Sequence, residues 1–340
     1  MNHQVTIKDI AEIAGVSFST VSRCLNDSTL VAEKTKARVN KIANDLGFEF
    51  NAGARSMITS RVGTVGIILP EQYTAVNVNV YHGMLMNSLR TYLEKADVDL
   101  IVSYERNHYT NHNNIIRLVT RNKVDGLIIL VEEVHPESLS YLVDYAVPFV
   151  CLHYPPGQEI KDQEVVYTDH YMGGKLVAEH LLEKGLKSFC MLAMEEKHLE
   201  FQLREEGYRD TIEKAGFVVK QFFSDSTFDS SRAVISQHAQ ELRECDAMFA
   251  SNDLMGLGAI RAMKDHGFTI PDDMAVVGYD DSEFGRYSSP GLTSIHQPRE
   301  ELAHISCDRL FIQMEKRKNG EEIMKKRISI QPVLIPRESS

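Results

Sequence analysis

Hydrophobic spacing along the chain changes character near residue 62. Before that point apolar residues recur every three to four positions, as on amphipathic helices. Ile7, Ile10, Ala11 and Ala14 form one such stripe, opened by Thr6 with Asp9 three residues on, a capping-box pattern, and stopped by Gly15. Ser17 is placed to cap a second helix reaching about Asn26, with Val21, Cys24 and Leu25 on its apolar side and Phe18, Ser19, Ser22 and Arg23 pointing elsewhere. A third stripe, Val39, Ile42, Ala43 and Leu46, predicts a helix from about Ala32 to Leu46 with Lys34, Lys36, Arg38 and Lys41 among its other positions and Gly47 as its stop. Two short helices joined by a glycine turn, with a third closing the core, read as a helix-turn-helix head.

From residue 62 onward short apolar runs alternate with amphipathic stretches: TVGIILP, DLIVSY, DGLIIL, PFVCLHY, FCMLAM, AMFASND and MAVVGYDD. Strands of this kind are buried on both faces, so the body is expected to be α/β, with doubly wound parallel sheets. About 280 residues exceed one comfortable core. The polar, Pro/Gly-bearing segment at 155–165 reads as the break between two lobes. The expected division is a head at 1–48, a connector at 49–61 and a body at 62–340, with lobe 1 at about 62–160 and 291–322 and lobe 2 at about 163–289 and 324–340. Ligands of open α/β sheets sit beyond the C-terminal ends of the strands, where Tyr73, His153, Asn252 and Asp280 fall.

Charge refines this picture. The formal net charge is -11, yet residues 1–61 carry eight Lys/Arg against six Asp/Glu, so the head and connector are positive and the acidity belongs to the body. The five cysteines are scattered, with no CxxC pair, and are expected to be reduced thiols. His108 and His112 lie four apart, but in an Asn-rich stretch that reads as a loop, so no metal is expected. No GxSxG, GxxxxGK[ST] or strand-to-helix GxGxxG occurs, and nothing pairs a nucleophile with a base, so neither an enzyme nor a cofactor is expected. The chain has no apolar run of signal-peptide or membrane-spanning length, and a cytoplasmic protein is the expectation.

The stretches VTIKDIAEIAGVSFSTVSRCLND and NAGARSMITSRVGTVGIILP resemble the lactose-repressor/galactose-repressor family of bacterial transcription regulators. That resemblance implies a second helix lying in the major groove of operator DNA, with Thr6, Thr20, Ser22 and Asn26 serving mainly phosphates and Arg23 reading guanine. Phe18 and Ser19 occupy the positions where members choosing different operators differ. Phe18 either meets a thymine methyl or packs on its own domain. Residues 49–61 would form a hinge helix in the minor groove, using Asn51, Ala54, Arg55 and Met57, the last standing where leucine is usual as the wedge between base pairs.

The body shares the resemblance through GGKLVAEHLLEKG, REEGYRDTIEKAGF, SNDLMGLGAIRAM and IPDDMAVVGYDDSEFGRYSSPGLTSIHQP, and its fold is similar to that of periplasmic sugar-binding proteins. Carried over by motif, Arg204, Asn252 and Asp280 would grip ligand hydroxyls, with Phe228 as an aromatic wall and Gln297 returning from the other lobe. Asn and Asp also cap helices, so a purely structural role stays open for each. Where many members have Asp-Arg after the fourth strand, this chain has His153 and Tyr154. With Tyr73, Tyr81 and Phe228 they would enrich the cleft in aromatics, leaving an oligosaccharide, a nucleobase or an aromatic glycoside open. The implied function is a homodimeric repressor that binds a near-palindromic operator and is controlled by a small metabolite, most naturally a sugar. A body answering to a protein co-regulator or a nucleoside is the alternative. A solute-binding transport protein would fit the body but not the head.

Overall fold

The computed structural model describes residues 5–25, 28–48, 62–70, 80–155, 163–195 and 198–340. It divides into two compact units, Met1–Gly63 and Thr64–Ser340. Asn26, Asn51, Ala54, Arg55, Met57 and Tyr73 lie outside the described residues, as does the expected hinge up to residue 61.

Among the described residues the first unit holds three helices, α1 (Ile7–Ala14), α2 (Phe18–Leu25) and α3 (Glu33–Asp45). Thr6 and Asp9 form the capping box that starts α1, and Gly15, in the left-handed region at φ 62°, ends it. A left-handed residue reverses the chain at little cost only where there is no Cβ, which is why the turn between α1 and α2 falls on this glycine. The Ser17 hydroxyl accepts from the Thr20 amide and so starts α2. Ile10, Ala14, Val21, Cys24, Val39 and Ala43 close the core, and each large aliphatic side chain buried there contributes about 1.5–3 kcal/mol. Lys36 departs from expectation. It is buried, with its ammonium 2.9 Å from Glu33, so its methylenes extend the core while the charge reaches the edge.

The second unit contains two six-stranded sheets. The first is built from β1 (Thr64–Leu69), β2 (Asp99–Tyr104), β3 (Gly126–Ile129), β4 (Phe149–His153), β5 (Val165–Thr168) and β11 (Arg327–Ile330), in the order β11-β5-β4-β3-β1-β2. Its helices are α4 (Val80–Lys95), α5 (Asn114–Thr120), α6 (Pro136–Asp144) and α13 (Arg299–Asn319), the last packed on α4, β3 and β4. The second sheet combines β6 (Phe189–Met194), β7 (Val219–Ser224), β8 (Ala247–Ala250), β9 (Ala275–Tyr279), β10 (Thr293–His296) and β12 (Val333–Ile335), in the order β12-β10-β9-β8-β6-β7. With it go α7 (His170–Glu183), α8 (Leu199–Lys214), α9 (Phe228–Gln237), α10 (Ala239–Leu242), α11 (Asp253–Asp265) and α12 (Glu283–Arg286). Every pairing is parallel except β10 with β12. Central strands such as β1, β3, β4, β8 and β9 are buried along their whole length, as runs covered on both faces must be.

The lobe boundaries differ from those expected. No lobe boundary falls between β4 and β5, because Val165 pairs with Cys151 and β5 extends the first sheet. β10 belongs to the second lobe, where Thr293 pairs with Val277, and β11 returns to the first, where Ile328 pairs with Val166. The chain therefore crosses between lobes at 169, at 297–298 and at 331–332. Backbone pairing, not composition, decides which lobe a short strand joins, since buried amides and carbonyls must find partners.

In the second lobe α7 and α8 pack with backbones nearly in contact. A Cβ on Gly174 would stand 1.8 Å from the Arg204 carbonyl oxygen, and one on Gly207 would stand 2.0 Å from that of Tyr171. This close crossing sets the height of α8 above the sheet. Gly207→Ala is expected to force the two helices apart and to lower stability by about 1–3 kcal/mol, read as a fall in the urea midpoint at unchanged slope.

Candidate functional site

Between the two sheets of the body lies a cleft of about 1280 Å³. Its walls come from the C-terminal ends of strands, as the rule for open α/β sheets requires. The first lobe supplies Leu69 and Pro70 after β1, Glu105 after β2, Glu132 after β3 and His153 and Tyr154 at the end of β4. From the second come Asp225 to Asp229 after β7, Asn252 after β8, Asp280 after β9 and one face of α8.

Arg204 stands at the centre. It projects from α8, is 2% exposed, and lies over the Tyr279 ring at 3.9 Å and the Phe201 ring at 4.7 Å. Its Nη1 donates to the Ser251 carbonyl at 2.9 Å and lies 3.6 Å from Oδ1 of Asp280. Its Nε donates to Nδ1 of His170 at 3.3 Å. A ring nitrogen that accepts from a guanidinium carries no proton, so His170 is the neutral tautomer with hydrogen on Nε2. Burial, reinforced by the Arg204 charge, holds its pKa well below the ordinary imidazole value.

Asp280 is fixed from behind. The Gln297 amide donates to its Oδ1 at 2.8 Å and Arg299 to its backbone oxygen at 2.7 Å. Its φ of 109° and the 83° of His153 are left-handed values at non-glycine residues. Such conformations cost about 1–3 kcal/mol each and persist where surrounding bonds impose them. Burial raises the Asp280 pKa, while Arg204 and Gln297 pull it down. Asp253, beneath it, takes hydrogen bonds from the Ser282 amide and the Ser294 hydroxyl, both at 2.6 Å. Burial and the neighbouring Asp280 charge push Asp253 up to about 7.

The floor on the first-lobe side is aromatic. His153 packs against Tyr81 at 4.8 Å, His82 at 4.9 Å and Tyr154 at 4.7 Å between ring centroids. Burial pushes His82 down to about 4 and His153 well below its ordinary value, so both rings are neutral near pH 7. Nδ1 of His153 and the Tyr81 hydroxyl are buried with no hydrogen-bond partner among the described residues. Polar atoms stranded in this way, on residues that line a cleft, are groups a polar ligand would satisfy.

Of the expected cleft residues, His153, Arg204, Phe228, Asn252 and Asp280 all line it. Gln297 is fully buried and stands behind Asp280 instead. Asn252 caps α11 by accepting from the Met255 amide at 2.8 Å, and it ties in the Ser226 carbonyl at 3.2 Å. One amide hydrogen is thus left for the cleft. His170, Asp253 and Glu200 were not singled out from sequence. Only the ND of SND hinted at Asp253, and His170 follows β5, a strand that the polar break concealed.

In the head, Phe18 is 54% exposed, and Ser19 and Arg23 are exposed with it on the outer side of α2. The ring is therefore half in solvent and is not part of the head's core. The Ser17 hydroxyl lies 2.8 Å from that of Thr20 and 2.9 Å from that of Ser19. The Thr6 side chain is occupied by Asp9 at 2.7 Å.

Comparison with known proteins agrees with this anatomy. Residues 6–51 match the model for bacterial regulatory proteins of the lacI family, and residues 178–340 match the periplasmic binding protein-like domain. The ribose operon repressor of Escherichia coli (strain K12) is 27% identical over 98% of this chain and 99% of that protein. A complex of the transcriptional regulator CelR with cellobiose superposes with a TM-score of 0.69 at 27% identity, covering 99% of this chain and 100% of that one. The lac repressor dimer bound to operator and the anti-inducer ONPF superposes with a TM-score of 0.78 at 24% identity, over 99% of each chain. The chain thus carries a DNA-binding domain of the lacI family of bacterial regulatory proteins at residues 6–51 and a periplasmic binding protein-like domain at residues 178–340.

Proposed function

We propose that the protein is a homodimeric, sequence-specific transcriptional repressor, acting in the cytoplasm, whose affinity for a near-palindromic operator is set by a carbohydrate bound between the lobes. The observation that carries the sensing half is the Arg204–Asp280 pair, sunk at the base of a large cleft with stranded polar atoms in its opposite wall. A guanidinium and a carboxylate side by side offer donors and acceptors to successive hydroxyls, while the Tyr81, Tyr154 and Phe228 rings suit the apolar faces of a sugar. The likeness to a cellobiose complex supports a saccharide over a nucleoside.

For the operator half, the exposed face of α2 supplies the readers. Arg23 forks onto guanine, Phe18 meets a thymine methyl, and Ser19 completes the edge. Thr20, Ser22 and Thr6 would serve phosphates, as would Asn26. In the hinge, Asn51, Ala54, Arg55 and Met57 would enter the minor groove, with the thioether as wedge. Ligand-driven motion of the lobes would then change operator affinity by favouring one arrangement of the dimer over another.

Arg23→Ala is expected to weaken operator binding by about 100-fold in a dimer that uses two half-sites, measured by fluorescence anisotropy, while ligand binding persists. Arg204→Ala should abolish ligand binding and keep unliganded operator affinity within about threefold. If each substitution damaged both activities equally, this division of labour would be wrong. In a thermal-shift screen, a saccharide at 100 times its Kd should add about 2.7 kcal/mol, and the Arg204→Ala protein should show no shift. A nucleoside producing the shift instead would transfer the site to that class.

A further inference from the structure

Charge in the cleft is one-sided. Among the described residues that line it, eight carry carboxylates and two carry guanidiniums, and none is a lysine. Neither guanidinium is spare. Arg106 donates to Glu137 at 2.6 Å and to the Asn111 carbonyl at 3.3 Å, and Arg204 is occupied by Asp280, Ser251 and His170. His198 pairs with Glu132 at 2.7 Å. The imidazoles of His82 and His153 are neutral. A phosphate or carboxylate entering here would meet like charge with no uncommitted cation among these groups.

One carboxylate differs from the rest. Glu200, in the first turn of α8, is 4% exposed, lines the cleft, and has an Oε2 without a hydrogen-bond partner among the described residues. Burial raises its pKa, and Arg204, one turn further along the same face, offsets only part of that. A buried carboxylate with an unused lone-pair face is costly unless a cation or donor arrives. Aromatic rings share the cleft with it. Phe201 follows it in the chain, and the phenol of Tyr154 feels the charges of both Glu200 and Glu132, which raise its pKa further after burial. Carboxylates and aromatic ring faces are the acceptors that hold an ammonium.

We propose that the cleft takes a saccharide bearing a protonated amine, with the ammonium lodged against Glu200 on the side of the Tyr154 ring and the hydroxyls directed to Arg204 and Asp280. This rests on the reading of the cleft as a carbohydrate site and narrows it. Phosphorylated sugars and uronic acids are excluded by the same charges.

The test is calorimetry on the full-length protein with matched sugars of the gluco, galacto and manno series. Each series comprises the free hexose, its 2-amino-2-deoxy counterpart, the N-acetyl derivative and the 6-phosphate, alongside cellobiose and its diamino counterpart. In one series the amine is expected to bind about tenfold tighter than the hydroxyl, N-acetylation to remove that gain, and the phosphate to give no measurable heat. Glu200→Gln, nearly isosteric, should collapse the amine-to-hydroxyl ratio toward one, with retained operator binding showing that the variant is folded. A phosphate that binds as well as the neutral sugar, or an amine preference that survives Glu200→Gln, would overturn the proposal. If only neutral sugars bound, the amine assignment would fall and the carbohydrate site would stand. If no sugar bound at all, both would fall.

Discussion

The body is organised around one buried guanidinium. Arg204 gives up its hydration only because three kinds of partner replace it: the Asp280 carboxylate, the Ser251 carbonyl with the His170 ring nitrogen, and the two aromatic faces of Tyr279 and Phe201. Removing a single partner would leave a buried charge undercompensated, a loss of several kcal/mol. The glycines at 174 and 207 let α8 come close enough to α7 for Arg204 to reach these partners. Sequence features far apart in the chain, GG in α7, RxxGY in α8, SND after β8 and GYDD after β9, thus serve the same side chain.

That arrangement also ties the cleft to the segments that join the lobes. Asp280 holds Gln297 by its carboxylate and Arg299 by its backbone oxygen, and both flank the second crossing. The first and third crossings are joined directly, since the Gln331 amide donates to Asp169 at 3.3 Å. His170, the residue after the first crossing, accepts from Arg204. A ligand that shifts Arg204 or Asp280 by a few tenths of an ångström therefore acts on groups bonded to two of the three crossing strands. Packed elements respond to such a shift by moving as bodies, not by stretching.

Much of this was legible in the sequence, for unequal reasons. The head was readable because its stripes are periodic and its turns rest on Thr6, Asp9 and Gly15, whose chemistry is local. Arg204 and Asp280 were readable because they sit in motifs. The lobe boundaries were not, because β5 follows a polar stretch and β12 is three residues long, and which sheet such a strand joins depends on a partner as far as 162 residues away. Gln297 was placed in the cleft when it stands one layer behind, a distinction that depth alone makes. Glu200 could not be told from Glu195, Glu205 and Glu206, since the spacing from Glu200 to Arg204 marks a shared helix face without saying what that face meets. Asn252 proved to be a cap as well as a wall residue, and the same amide geometry serves both.

The third crossing bears on how the molecule comes into being during synthesis. The head has its own core and needs nothing beyond its first residues to close it. The first lobe, by contrast, begins at β1 yet receives its edge strand β11 from residues 327–330, and the second is completed by β12 just after. Long-range pairings of this kind form last, because the intervening chain must be ordered before they repay its entropy. A nascent chain would therefore carry a finished head for some time before β11 and β12 emerged to complete the two sheets of the body.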